Sequence, residues 1–139
     1  MTYSITAKAV PAGLLAAASL LALGAAPAQA TTQDSLPGNW LFLTVTKGDA
    51  RHSDTRGTLL MCNPPQGHGK AAEACAELEP VGGDIVGLRP QDVHCPMIYA
   101  PVTAHARGQW QGQPVEYQET FSNACVLGAR TGSVFALDA

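Results

Sequence analysis

The sequence predicts one small domain of the α+β class. Residues 115–121 alternate apolar and polar side chains as a half-buried strand does, and residues 71–78 repeat small apolar side chains at helical spacing. Four cysteines within the last 78 residues point to a modest core stapled by two disulfides.

The chain opens on a segment that does not belong to that domain. Lys8 gives a basic start, residues 12–26 (AGLLAAASLLALGAA) are apolar, and Ala28-Gln29-Ala30 is a small-x-small site ahead of Thr31. This pattern predicts a secretory signal peptide over 1–30, removed to leave a mature domain of 109 residues, 31–139. A membrane anchor fits poorly, because the apolar run is shorter than the roughly 20 residues that a spanning helix needs. Loss of Lys8 leaves seven Lys and Arg against eleven Asp and Glu, so the net charge moves from −3 to −4. The charges are scattered without a basic block, which argues against nucleic acid and membrane surfaces as partners.

In chain order, residues 41–46 (LFLTVT) and 57–62 (GTLLMC) read as strands, with the charged, turn-like stretch KGDARHSDTRG (47–57) between them. Ala71, Ala74, Cys75 and Leu78 fall at i, i+3, i+4 and i+7, and Pro80 ends the pattern, so a short helix carries Cys75 on its buried face. Trp110 lies on a strand that QGQP (111–114) turns into the next, where Val115, Tyr117 and Phe121 share a face; this predicts a hairpin. Ser133–Leu137 reads as a last short strand. Cys62, Cys75, Cys95 and Cys125 all lie in the exported part, where an oxidising compartment favours two disulfides, and four cysteines allow three pairings.

Candidate chemistry is sparse. His94 beside Cys95 resembles a thiol dyad, but neighbours in an extended segment point to opposite faces and a bridged sulfur is no nucleophile. A zinc site built from Cys62, His68, Cys75 and either His94 or Cys95 has no closely spaced cysteine pair, and export favours disulfides over metal. His52, His68, His94 and His105 therefore read as ordinary surface residues, no cofactor is expected, and the chain is not read as an enzyme. The stretch DVHCPMIYAP (92–101) is more informative. A methionine flanked by Val93, Ile98 and Tyr99 is ordinarily a core residue. Pro96 and Pro101, however, each remove a backbone donor and disfavour helix in the residue before them, so the segment is extended and unsuited to a central strand. Cys95 tethers it. An exposed, tethered, extended loop with Met97 at its apex has the shape that a serine protease accepts as substrate.

These residues also resemble a known family, the Streptomyces subtilisin inhibitors. The likeness runs from about Leu36 to Leu137 through L-T-V-T-K-G (43–48), C-N-P-P-Q-G-H (62–68), A-C-A-E-L (74–78), V-G-G-D (81–84), C-P-M-I-Y-A-P-V (95–102), W-Q-G (110–112), F-S-N-A-C (121–125) and S-V-F-A (133–136). The resemblance implies a five-stranded antiparallel sheet with two short helices, disulfides Cys62–Cys75 and Cys95–Cys125, and a homodimer with its loops pointing away from the interface. It makes Met97-Ile98 the reactive bond and His94, Cys95, Pro96, Met97, Ile98 and Tyr99 the protease-contacting loop, with Asn123 supporting the loop from beneath. The expected partner is a subtilisin-like serine protease. Gly69 stands where the family commonly has proline, and His94 where it often has a hydrophobic residue. The alternative function is that of an exported adhesion or scaffold module using the same loop on a partner that is not a protease.

Overall fold

A computed structural model describes residues 36, 38–49 and 52–138, with the side chains of Asp49 and His52 excepted; the predicted leader, 1–30, lies outside the described residues. The elements run β1 (Asn39–Asp49), β2 (His52–Cys62), α1 (Ala71–Leu78), two single 3-10 turns (Glu79–Val81 and Ile85–Gly87), β3 (Val102–Trp110), β4 (Gln113–Phe121) and α2 (Ala124–Thr131). The four strands form one antiparallel sheet in the order β2-β1-β3-β4.

Strand periodicity decides which side chains meet the core. Along β1, Leu41, Leu43 and Val45 are buried, and the same face carries Leu60, Val102, Ala104, Ala106, Trp110, Tyr117 and Phe121 from the other strands. The helices lie on this face with Ala71, Ala74, Cys75 and Leu78 of α1 and Leu127 of α2 in the same cluster. The helical spacing read at 71–78 therefore marks the buried stripe correctly. Pro80 sits in the first 3-10 turn directly after the helix, where its missing N–H costs nothing. Gly83 allows the chain to pass Trp110: its φ is +79°, and a Cβ there would lie 2.5 Å from the indole. The β3–β4 hairpin closes through Gln111 and Gly112, both at positive φ as the two-residue hairpin turn requires, and Asn39 Oδ1 accepts the Gln111 N–H at 2.7 Å.

Two sequence expectations are corrected. The sheet has four strands and not five, because Ser133–Leu137 is a run of turns closed by local bonds such as Val134 N–H to Thr131 O and Ala136 N–H to Ser133 O. The reason is visible in its burial: Val134 and Phe135 are adjacent and both buried, whereas a strand turns neighbours to opposite faces. The charged stretch 47–57 is not mainly turn. Its residues 47–49 and 52–57 extend the β1–β2 ladder, with Lys47 opposite Asp54 and, just before the stretch, Thr46 opposite Thr55, the two threonine hydroxyls 2.9 Å apart. Residues 53–57 are polar because they are exposed, not because they bend.

The cysteines are paired Cys62–Cys75 and Cys95–Cys125, and no free cysteine remains. Among the described residues no helix is long and apolar enough to cross a membrane.

Candidate functional site

Between the second 3-10 turn and β3 the chain runs from 89 to 101 without regular secondary structure. Such a segment would ordinarily move on the surface, since few contacts offset its conformational entropy. Here it is fastened repeatedly to α2 and to the residues leading into it. The Gln91 N–H donates to Ala129 O at 2.7 Å, Cys95 is bonded to Cys125, and the Ala100 N–H donates to Ser122 O at 2.8 Å. Pro101 O accepts from the Gly48 N–H of β1 at 3.1 Å, which fixes the exit.

Asn123 makes the central contact. It is 7% exposed and is the N-cap of α2, where its Oδ1 accepts the Val126 N–H at 3.0 Å. That bond orients the amide so that Nδ2 points at the loop, donating to Pro96 O at 3.1 Å and to Ile98 O at 2.9 Å. Both hydrogens of one amide thus hold the carbonyls on either side of Met97. Among the described residues, no group bonds the carbonyl of Met97 itself.

The side chains project the other way. Met97 is 104% exposed relative to an extended reference, and Val93, Ile98 and Tyr99 are exposed large apolar side chains beside it. From 91 to 100 every residue but the half-buried Cys95 is exposed. Val93 to Pro101 contains no Asp, Glu, Lys or Arg. A rigid, extended, apolar ridge, with a carbonyl at its apex that no described residue bonds, can add to a complementary cleft and present one side chain to a pocket.

His94, Cys95, Pro96, Met97, Ile98 and Tyr99 thus share one exposed loop with Asn123 beneath it, while Cys62–Cys75 joins the end of β2 to α1. All four cysteines are bridged, so the thiol-dyad and zinc readings set aside above have no free sulfur to use. Sequence reasoning missed the carbonyls of Ala129 and Ser122, since backbone acceptors leave no residue signature.

One histidine departs from the surface reading. His68 is 8% exposed; its Nδ1 accepts the Lys70 N–H at 2.8 Å, so its Nε2–H donates to Val134 O at 3.1 Å. Burial holds this ring below its ordinary value, opposed by the bond to Val134 and reinforced by the Lys70 charge. His105 Nε2 pairs with Glu116 Oε1 at 2.6 Å across β3 and β4.

The "Subtilisin inhibitor-like" family model matches residues 37–123. A Streptomyces avermitilis protein is 56% identical over 132 residues, covering 95% of this chain and 88% of its own. The subtilisin inhibitor of Streptomyces albogriseolus is 41% identical over 138 residues, covering 96% and 92%. Among solved structures, Streptomyces caespitosus sermetstatin in complex with Bacillus licheniformis subtilisin matches with a TM-score of 0.52 at 28% identity, over 70% of this chain and 99% of that one.

Proposed function

The chain belongs to the subtilisin inhibitor-like family, and from that premise we propose that it is a secreted, substrate-like, tight-binding inhibitor of subtilisin-type serine proteases with Met97-Ile98 as its reactive bond. The carrying observation is the clamp: the carbonyls flanking a fully exposed Met97 are held by one buried amide. The related sermetstatin, solved in complex with subtilisin, supports the choice of partner.

A flexible peptide entering a protease cleft loses about 1–2 kcal/mol of conformational freedom per ordered residue. The loop fixed by Asn123, Cys95–Cys125 and two prolines has lost that freedom on folding, so more of its contact energy appears as affinity. The Met97 side chain fills the primary specificity pocket, and its unbonded carbonyl is free to meet the oxyanion donors of the protease. If Met97-Ile98 is cleaved, Asn123 and the disulfide hold both new ends in place. Religation is then effectively intramolecular, and the complex stalls instead of turning over.

The leader 1–30 directs export, consistent with two disulfides that persist in an oxidising compartment. The mature chain works as a homodimer through the sheet face turned away from the core. That face carries Trp40, Phe42 and Leu59 together, with the Arg107 guanidinium 5.5 Å from the Phe42 ring. Sedimentation of the mature chain tests the dimer.

The functional test is titration of subtilisin with the mature protein, followed by mass spectrometry of the recovered chain. Near-stoichiometric inhibition with slow cleavage confined to Met97-Ile98 is expected. Absence of inhibition, with the loop retained as a ligand for another protein, would favour the adhesion reading instead.

A further inference from the structure

Met97 is the most exposed large apolar side chain among the described residues, at 104%, and its thioether sulfur is open to solvent-borne oxidants. Competing sulfur chemistry in the mature chain is limited. All four cysteines are bridged, so no thiol is present to consume peroxide first. Of the three methionines, Met1 belongs to the predicted leader and Met61 is half-buried on β2, with Gln66 and Trp40 beside its backbone.

We infer that Met97 is an oxidation site through which peroxide reversibly switches off inhibition of proteases with an apolar primary pocket. The inference rests on Met97 entering that pocket, as proposed above. A sulfur lone pair attacks one peroxide oxygen, the O–O bond breaks, and the thioether becomes a sulfoxide as peroxide is reduced to water. The sulfur loses two electrons and no other bond of the loop changes. None of the loop fastenings, from Asn123, Cys125, Ala129 or Ser122, involves the Met97 side chain. Oxidation therefore leaves the presented backbone intact and alters only the group presented. The sulfoxide carries a strong dipole, and an apolar pocket offers it no hydrogen bond in place of water. Reductases specific for methionine sulfoxide return it to the thioether, so the chemistry of the switch is reversible.

The test treats the mature protein with graded hydrogen peroxide, maps the added oxygen by peptide mass spectrometry, and measures the inhibition constant for subtilisin. The expected result is oxygen on Met97 before Met61 and a rise in the inhibition constant of about tenfold or more, equivalent to about 1.4 kcal/mol. Methionine sulfoxide reductase is expected to restore the original constant. A Met97→Leu variant, whatever its own constant, is expected to be unaffected by peroxide. Oxidation of Met61 at the same pace as Met97, or a Met97 sulfoxide form that inhibits as tightly as the thioether while Met97→Gly is much weaker, overturns the oxidation inference alone. If Met97→Gly inhibits as well as the native chain, the reading of Met97 as the pocket residue fails first.

Discussion

Replacing Asn123 by Asp separates the two tasks of this residue. The cap of α2 needs an acceptor for the Val126 N–H, which a carboxylate supplies, and a negative charge at a helix N-terminus is favourable. The clamp needs two N–H donors, which Asp lacks. An oxygen would then face Pro96 O and Ile98 O at the distances now occupied by the amide nitrogen, 3.1 and 2.9 Å. Each lost hydrogen bond is worth about 0.5–1.5 kcal/mol net, so the pair amounts to about 1–3 kcal/mol. If that energy serves to hold the loop in its binding shape, the inhibition constant for subtilisin rises by roughly 5- to 150-fold. Cleavage at Met97-Ile98 should accelerate together with it. Thermal unfolding supplies the control: Asn123→Asp should keep most of the stability that Asn123→Ala loses with the cap, about 1 kcal/mol. An Asn123→Asp protein that is folded, inhibits with the native constant and is cleaved no faster would refute the view that this amide preorganises the loop.

Three further outcomes are expected. Met97→Lys should move inhibition from subtilisin towards trypsin-like proteases, since a long cation suits an acidic pocket and is costly to desolvate in an apolar one; inhibition constants for both enzymes are the check. Replacing Cys95 and Cys125 together by Ser opens a 31-residue loop, should cost roughly 3.7 kcal/mol of stability, and should convert the protein from slowly cleaved inhibitor to rapidly digested substrate in a mass-spectrometric time course. For His68, burial lowers the folded value below 6.5, so the unfolded chain takes up the proton first as pH falls. Stability should be full above about 6.5 and fall as pH drops through 6.5 towards the folded value, by at most about 1.4 kcal/mol per pH unit, in denaturant titrations. A His68→Gln variant should lose that part of the slope.

What could be read from the sequence follows from which signals are local. The stripe Ala71, Ala74, Cys75, Leu78 is a property of consecutive residues on one helix, and it matches the buried set. The hairpin around Gln111-Gly112 is equally local, because turn chemistry and alternation sit side by side. Pro96, Pro101 and Cys95 likewise stiffen their own segment, so an exposed Met97 could be argued without a structure. Val134 and Phe135 misled because apolar composition is shared by strands and by buried turns, and only their adjacent burial tells them apart. His68 was read as exposed because its burial depends on Val134 O, 66 residues away, and no spacing near His68 announces that contact. Asn123 stands between these cases. Its capping position is the kind of local pattern that a sequence carries, but its donation to Pro96 and Ile98 joins segments 27 and 25 residues apart, and its role beneath the loop came from family resemblance alone.

The central claim is that the free loop already has the shape a subtilisin-type protease binds, with Met97 as the presented residue. A crystal structure of the mature chain bound to subtilisin tests it most directly. The account expects the Met97 side chain in the primary specificity pocket, the Met97-Ile98 bond largely intact, and the Asn123 bonds to Pro96 O and Ile98 O retained at close to 3.1 and 2.9 Å. A complex in which another surface occupies the active-site cleft, or in which the loop must leave Asn123 to enter it, would contradict the account.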